Sequence, residues 1–178
     1  MLTTPTQSLA EEKANAVFDA LLWALSRPGL LHNLSEQGEA QIMEALIDRE
    51  CRAFCSDSAM MTTTLQTGAE ITPLEVADYA FLGEVHDASA LRDVAQGSDL
   101  YPDAGATIVI RADLSNGQAL RLTGPGVDGD VLINVGGLPS GFWETRADVM
   151  RYPMGFEMFL IDEDQIIGVP RSTIVVVL

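Results

Sequence analysis

The feature that most constrains this sequence is a strand-like segment that ends in a glycine-proline-glycine turn. The segment runs from Leu120 to Gly126 and reads LRLTGPG. Alternating apolar and polar residues are typical of a β-strand, and the glycines and proline end it in a tight turn. Arg121 and Thr123, next to Gly124, place a cation and a hydroxyl beside open backbone. Arg121 could therefore close the turn, pair with an acid, hold a phosphate-like ligand or contact a partner chain.

Length and composition indicate one domain over residues 1–178. The chain has 47% apolar residues and no segment that resembles a linker, so it can bury a sizeable core. Its formal net charge is −16, and the acidic residues are spread along the chain. Nucleic acid and anionic membranes both require a clustered cationic face, so neither is an expected partner. A basic protein chain is the more natural neighbour.

The sequence also indicates a reduced, cytoplasmic setting. Residues 1–13 lack a cationic segment followed by an apolar stretch, and no run of about 18 apolar residues occurs, so we expect neither secretion nor membrane spanning. Cys51 and Cys55 fall in a predicted strand, where residues four apart lie roughly 13 Å apart, too far for a disulfide or a shared metal. We expect both to be buried, reduced thiols.

Helical and strand-like patterns alternate through the first half of the chain. A capping box formed by Ser8 and Glu11 begins an amphipathic helix that ends at Ser26. Helices followed by strands are typical of an α/β fold, so we predict a single-domain mixed sheet flanked by helices. The other elements predicted in this half are a helix at 39–48, a strand at 51–56, a helix at 59–65, a strand at 79–82 and a helix at 87–96.

A tight hairpin is predicted in the second half. Strand-like runs at 106–112 and 118–122 are separated by Leu114-Ser115-Asn116-Gly117. Asn-Gly between two alternating runs is a strong signal for a two-residue hairpin turn. We therefore expect these two strands to pair with each other.

The C-terminal part predicts a helix and three further strands. The helix covers about 140–150, and strands at 156–161 and 165–169 flank the acidic turn 162–164. The last run, 174–178, is apolar throughout and mostly β-branched. We expect it to be buried on both faces or covered by a neighbouring subunit.

Reactive groups are few in this chain. Lys13 is its one lysine, and His32 and His86 are its histidines. Neither histidine has a metal-ligand spacing, and the chain lacks a phosphate-binding loop, a dinucleotide fingerprint and a nucleophile elbow. We therefore predict no catalytic residue, no metal site and no bound cofactor.

Arginine is the more informative cation, because nine of the ten basic residues are arginine. Its planar guanidinium suits bidentate contact with carboxylate or phosphate. Arg121 and Arg171 stand out, since each lies near glycine or proline and near a hydroxyl residue, Thr123 or Thr173. They either pair with acids of the chain or form a ligand or interface site.

Four blocks of residues, spread in order over most of the chain, resemble those of a known family. They are FDALLWALSRPG at 18–29, AGAT at 104–107, LRLTGPG at 120–126, and YPMG at 152–155 with VPRST at 169–173. In this order, and in a chain of this length, the blocks resemble the PhnH family of phosphonate metabolism proteins, the H subunit of the bacterial carbon-phosphorus lyase core complex.

The resemblance implies a fold and partners. These proteins are similar to a reduced pyridoxal-phosphate-dependent transferase fold without the cofactor, and they form homodimers in isolation. They work with the G, I and J subunits, and the complex couples an alkyl phosphonate to the ribose of ATP before a radical step cleaves the carbon-phosphorus bond. The family offers no catalytic residue to carry over. A pyridoxal-phosphate enzyme needs a lysine for its Schiff base, and Lys13, on the N-terminal helix, is the sole candidate.

Two hypotheses about function follow. In the first, the chain is a required but non-catalytic subunit that supports formation of ribose 1-phosphonate 5-triphosphate from ATP and phosphonate. In the second, it binds a phosphonate or nucleotide and takes part directly in substrate handling. The candidate ligand or interface residues are Arg121, Thr123, Gly124, Gly126, Arg171 and Thr173.

Overall fold

The computed structural model describes residues 7–178 and contains two β-sheets flanked by α-helices. The predicted α/β class, a mixed sheet with flanking helices, is confirmed. None of the helices in this range is long and apolar enough to cross a membrane. The elements are α1 Leu9–Ser26, β1 His32–Asn33, α2 Ala40–Leu46, β2 Arg52–Cys55, α3 Ser58–Thr67, β3 Glu70–Ile71, β4 Tyr79–Gly83, β5 Thr107–Arg111, β6 Asp113–Thr123, β7 Val131–Gly136, α4 Phe142–Val149, β8 Glu157–Asp162, β9 Gln165–Val169 and β10 Ile174–Val177.

The larger sheet has seven strands in the order β1-β9-β8-β5-β4-β2-β3. Neighbouring strands from β3 to β8 in this order are parallel, whereas β9 is antiparallel to both β8 and β1. The central strands β5 and β8 are apolar and largely buried. Such continuous apolar runs are typical of parallel strands that are covered on both faces.

A different layer covers each face of this sheet. Helices α1 to α3 cover one face, where Val17 and Ile42 pack with Val109 of β5. The smaller sheet and α4 cover the opposite face, where Leu120 of β6 packs with Ile108 of β5. β5 therefore contributes to both cores, and the two sheets share the second one.

The first helix forms as the sequence predicts. The Ser8 N–H donates to Glu11 Oε2 at 2.7 Å and the Glu11 N–H donates to Ser8 Oγ at 3.3 Å, so the capping box is present. The predicted elements α2, β2 and α3 are confirmed with ends shifted by a few residues. The helix predicted at 87–96 is shorter, a 3₁₀ helix at Ala88–Arg92.

The tight hairpin predicted around Asn116-Gly117 is wrong. β5 and β6, the strands that it would join, lie in different sheets. β5 pairs with β4 and β8, whereas β6 pairs with β7 and β10. The chain instead reverses after Thr123, where the LRLTGPG block leads from β6 into the antiparallel strand β7.

Asn116 and Gly117 form an irregularity within β6, where the register to β7 shifts. The Asp113 carboxylate accepts hydrogen bonds from the backbone N–H groups of Ser115 and Asn116, both at 2.9 Å, and these bonds lower the pKa of Asp113 to about 2. Gly117 has a φ of +116°, and a Cβ there would lie 2.4 Å from the Gly136 Cα. The Asn-Gly pair thus permits a bulge and a close approach of strands.

The C-terminal hairpin is confirmed, with β8 and β9 antiparallel on either side of the acidic turn. β10 then forms the edge of the smaller sheet, whose order is β10-β6-β7. Val175 and Val177 pack against the core. Ile174 and Val176 are 62% and 47% exposed. The expectation that this last strand is buried on both faces by its own chain is therefore wrong. The alternative expectation, that a neighbouring subunit covers the strand, stays a prediction.

Close glycine contacts join the sequence blocks in space. A Cβ on Gly105 would lie 1.9 Å from the carbonyl oxygen of Gly155, so the AGAT and YPMG blocks touch through backbone. A Cβ on Gly126 would lie 2.4 Å from the carbonyl oxygen of Ser26, so the LRLTGPG block touches the end of α1. Side chains at these glycines would force the segments apart.

Gly105→Ala is expected to lower the free energy of unfolding by about 2–4 kcal/mol, because its methyl group would overlap the Gly155 carbonyl oxygen. Gly105 has a φ of −71°, which alanine adopts readily, so the loss would be steric. Urea denaturation measures the change. In the control Gly38→Ala, the φ is +84° but nothing lies within 4 Å of the new methyl group. That strain alone should cost about 1 kcal/mol. Equal losses in the two variants would contradict the steric explanation.

Candidate functional site

A cavity of about 530 Å³ opens between α4, the segment that joins β9 to β10, and the loop between β6 and β7. Two of the predicted site residues, Arg171 and Thr173, line it. Pro125, which lies between the predicted Gly124 and Gly126 in the sequence, lines it as well. Its walls also include Trp143, Arg146, Met150 and Tyr152. The cavity therefore combines aromatic and apolar walls with two arginines.

Arg146 is a buried cation that α4 carries on its inner face. The buried residues of this helix are Phe142, Trp143, Arg146 and Val149, and this spacing is that of an apolar helical stripe. The arginine is 3% exposed. Arg146 was not predicted as a site residue from the sequence, although an arginine on the apolar stripe of a predicted helix was a usable signal. Charged residues are rarely so buried without a specific partner.

Backbone carbonyl groups hold the Arg146 guanidinium. Nη1 donates to the Thr173 carbonyl at 3.1 Å, and Nη2 donates to the carbonyls of Pro170 at 2.8 Å and Val169 at 3.5 Å. No carboxylate lies within 4.0 Å of this guanidinium in the described part of the chain. Burial lowers the pKa of Arg146 to about 10, and the charge of Glu157 acts in the opposite direction. The guanidinium thus clamps the 169–173 segment to α4 without an ion pair.

Two buried donors of the cavity residues have no partner within residues 7–178. They are Nε of Arg146 and Oγ1 of Thr173. Thr173 is buried, and its backbone N–H donates to the Pro170 carbonyl at 2.9 Å, so its position is fixed by the turn. A buried donor without an acceptor carries a desolvation cost, and both atoms are closed off from solvent.

Arg171 is engaged within the chain. Its Nε lies 2.5 Å from Glu157 Oε1, and its backbone N–H donates to Glu157 Oε2 at 3.0 Å. Its Nη1 donates to the carbonyl oxygens of Pro102 and Pro153. The Arg171 and Glu157 side chains are only 18% and 21% exposed. Arg171 therefore borders the cavity with its charge already compensated.

Arg121 lies on the outer face of the smaller sheet and does not line the cavity. It stands in register with Val176 of β10 on one side and Leu132 of β7 on the other. Its Nε lies 3.5 Å from Asp130 Oδ2, and both side chains are about half exposed. Such an exposed pair contributes roughly 0–1 kcal/mol to stability. Arg121 and Arg171 share no partner, so each is a separate candidate.

The other predicted residues position the loop after β6. Thr123 pairs with Ile174 in the ladder between β6 and β10. Gly124 has a φ of +132°, and a Cβ there would lie 2.8 Å from the Ser172 carbonyl oxygen. Gly126 makes the contact with the end of α1 described above. Both glycines therefore let the loop pack closely against neighbouring backbone. At Gly124 this neighbour is Ser172, in the segment that lines the cavity.

A second, larger cavity of about 720 Å³ lies between α1 and α2. Its lining includes Glu11, Glu36, Glu44 and Lys13, and the Lys13 Nζ lies 2.6 Å from Glu36 Oε1. Three carboxylates and one paired ammonium make this cavity unsuited to an anion. No group of three or more His, Cys, Asp or Glu side chains within residues 7–178 has an arrangement that could hold a metal ion.

Both cysteines are free thiols. Cys55 is buried, its Sγ lies 2.9 Å from Thr64 Oγ1, and burial raises the pKa of its thiol. Cys51 lies just before β2, which begins at Arg52, and is only half-buried. The predicted burial is confirmed for Cys55 and wrong for Cys51.

Comparison with known proteins finds one family across nearly the whole chain. The family described as "Bacterial phosphonate metabolism protein (PhnH)" matches residues 7–176. A "Putative C-P lyase subunit protein HtxG" from Stutzerimonas stutzeri is 27% identical over 169 residues, covering 90% of this chain and 85% of that protein. The "Alpha-D-ribose 1-methylphosphonate 5-triphosphate synthase subunit PhnH" from Rhizobium meliloti (strain 1021) is 28% identical over 178 residues, covering 90% of this chain and 89% of that protein.

Arg146→Lys is expected to lower the free energy of unfolding by about 2–4 kcal/mol. A buried ammonium keeps the charge but cannot donate to all of these carbonyl groups at once, as the planar guanidinium does. Arg146→Met removes the charge as well and should cost less than the lysine variant. Thermal and urea denaturation compare the two. Arg92→Met, at an exposed arginine paired with Asp148, is the control and should change stability by less than about 1 kcal/mol. A lysine variant as stable as the unmodified protein would contradict the clamp.

Proposed function

We propose that this chain, which belongs to the PhnH family of bacterial phosphonate metabolism proteins, is a required subunit of a carbon-phosphorus lyase complex. In this role it supports, without catalysing, formation of ribose 1-phosphonate 5-triphosphate from ATP and an alkyl phosphonate. The names of the two relatives, a putative C-P lyase subunit and a synthase subunit, support the proposal. Its partners would be the G, I and J subunits, in the cytoplasm.

The observation that carries this proposal is an uncovered apolar face on the smaller sheet. On this outer face, Ile174 and Val176 of β10 and Leu132 of β7 are exposed, and Arg121 lies in the row between Val176 and Leu132. Apolar side chains around an arginine are a composition enriched at protein interfaces. We infer that a partner subunit covers this face and that Arg121 serves the interface rather than a ligand.

The outer face of α1 offers a second uncovered apolar surface. Phe18, Leu22 and Trp23 are each about half exposed there. Two such surfaces allow a second copy and a different subunit to bind at once, so we propose a homodimer in isolation.

Light scattering should give twice the chain mass of 19.1 kDa, and a monomer mass at micromolar concentration would contradict the homodimer.

The proposal includes a single domain with a reduced transferase-like architecture that binds no pyridoxal phosphate. Lys13, the one lysine of the chain, supports this. It lies on α1, is exposed and pairs with Glu36. A pyridoxal-phosphate enzyme needs a lysine beside its cofactor to form the Schiff base. The same scarcity of lysine and histidine supports a non-catalytic role.

Val176→Asp is expected to reduce co-purification with co-expressed G, I and J subunits at least about tenfold, because a carboxylate would replace an apolar side chain in the interface and would pair with its cross-strand neighbour Arg121, which could then no longer contact the partner. Quantitative pull-down on the tagged chain measures this. The matched control is Leu65→Asp, which places the same charge at an exposed leucine of α3, over the opposite face of the larger sheet. Full co-purification of the Val176 variant would contradict this interface, and failure of the unmodified chain to co-purify at low salt would contradict the subunit role.

A second candidate function, direct handling of the substrate, is favoured by the cavity beside α4. Arg171 and Thr173 line it, and Arg146 adds a buried cation. For this function, calorimetry of the isolated protein should detect binding of an alkyl phosphonate or ATP. No binding, together with unchanged complex activity in Arg171→Ala, would discard it.

A further inference from the structure

We propose that β10 binds an extended segment of a partner subunit, which adds as a fourth strand at the open edge of the smaller sheet. Every second side chain of this segment would point toward the cavity beside α4, and a bulky apolar residue would enter it. This inference rests on the proposed subunit role and goes beyond it, because it names the edge that is bound and the kind of segment that binds.

The backbone of β10 carries hydrogen-bonding groups that face no other strand. β6 is the one neighbour of β10 in the described part of the chain. The Leu178 N–H donates to the Ala119 carbonyl at 3.0 Å. Backbone groups alternate in direction along an antiparallel ladder, so those of Val176 also face β6, whereas those of Val175 and Val177 point to the open edge. The N–H and C=O groups of these two valines are therefore available to an added strand.

β10 lacks the features by which proteins protect the edges of their sheets. Edge strands are commonly very short, charged, interrupted by proline or bulged. The two edge strands of the larger sheet, β1 and β3, have two residues each, and β3 includes Glu70. β10 has four residues, all apolar, and it pairs with β6 without a shift in register. Such an edge favours the addition of a strand.

The cavity beside α4 lies along the same edge. Ile174 and Val175 of β10 contribute to its wall, whereas its lining within residues 7–178 includes no residue of β6 or β7. Val175 also packs against the core, so the inner face of β10 borders the cavity. Successive residues of a strand point to opposite faces of its sheet. A strand added beside Val175 would therefore direct alternate side chains toward the cavity.

The walls of the cavity suit an apolar side chain rather than a charged one. Trp143, Met150 and Tyr152 are among the lining residues, and these three residue types are enriched at protein interfaces. The two arginines of the wall are already engaged, since Arg171 pairs with a carboxylate and Arg146 is held by backbone carbonyl groups. An apolar side chain would leave both of these arrangements intact.

A different subunit fits this edge better than a second copy does. If two copies paired through β10, each would offer Val175 and Val177 on the inner face, and valine side chains are small for a cavity of about 530 Å³. That pairing would also bring together two chains that each have a formal net charge of −16. The expected occupant is a segment of another subunit with leucine, methionine or an aromatic residue at alternate positions.

Hydrogen exchange provides a direct test of strand addition. In the isolated protein, the amides of Val175 and Val177 should exchange at least about tenfold faster than that of Val176, which faces β6. In the complex co-purified with the G, I and J subunits, exchange at Val175 and Val177 should slow at least about tenfold. Mass spectrometry with electron-transfer fragmentation resolves these adjacent amides.

Val177→Pro separates edge pairing from folding. The N–H of Val177 points to the open edge, so proline removes a donor for the added strand but no hydrogen bond to β6. The variant should fold, and its co-purification should fall at least about tenfold. In the control Val176→Pro a hydrogen bond to β6 is lost, so its urea midpoint should be lower than that of Val177→Pro.

Ala147→Trp tests the cavity. Ala147 is an exposed residue of α4 that lines the cavity, so a larger side chain there would occupy the cavity from its rim without entering the core. Co-purification should fall at least about tenfold, while the urea midpoint stays unchanged. The matched control is Asp148→Trp, at the next residue of α4, whose side chain is 68% exposed and does not line the cavity. This control should co-purify as the unmodified chain does.

Unchanged exchange at Val175 and Val177 in the co-purified complex would overturn the inference and leave the subunit role intact. Full co-purification of Val177→Pro or of Ala147→Trp would have the same consequence. Protection of both amides in the isolated protein would assign the edge to a second copy and would also overturn the inference. Failure of the unmodified chain to co-purify would instead reject the subunit role, and this inference with it.

Discussion

The buried guanidinium of Arg146 is the interaction on which the arrangement of the two sheets and the cavity depends. After β9 the chain leaves the larger sheet and enters the smaller one through Pro170 to Thr173. Arg146 binds the carbonyl groups of this crossing from the inner face of α4. Carbonyl dipoles hold the charge directly, and the carboxylate of Glu157, which pairs with Arg171, favours it without a direct contact. One contact therefore fixes the crossing and leaves an unbalanced charge beside a cavity.

Elements set by neighbouring residues could be predicted from the sequence, whereas assignment of strands to sheets could not. The capping box at Ser8 and the turn between β8 and β9 depend on residues within a few positions, and both were predicted correctly. The hairpin at Asn116-Gly117 was not, because a tight turn and a bulge both require a glycine with positive φ. What decides between them is the position of β5 in the middle of the larger sheet, which depends on contacts with β4 and β8 far along the chain.

The candidate site divides in the same way. Residue type and turn chemistry led to Arg171 and Thr173, which line the cavity, and also to Arg121, which lies on the outer face of a different sheet. The difference lies in contacts distant in sequence, such as the ion pair of Arg171 with Glu157. Arg146 was missed because its value as a cation depends on the absence of a nearby carboxylate. That property belongs to the folded chain, since 26 acidic residues are available in the sequence.

The outer face of the smaller sheet and the cavity meet at one residue. Ile174 of β10 is exposed on this outer face, two residues before Val176, and it also lines the cavity next to Thr173. A subunit that covers the outer face would therefore contact the wall of the cavity. If that contact differs between the empty and occupied cavity, partner affinity and ligand affinity must change by the same factor. Assembly and substrate handling are thus compatible roles for this chain, because the edge strand β10 contributes to both surfaces.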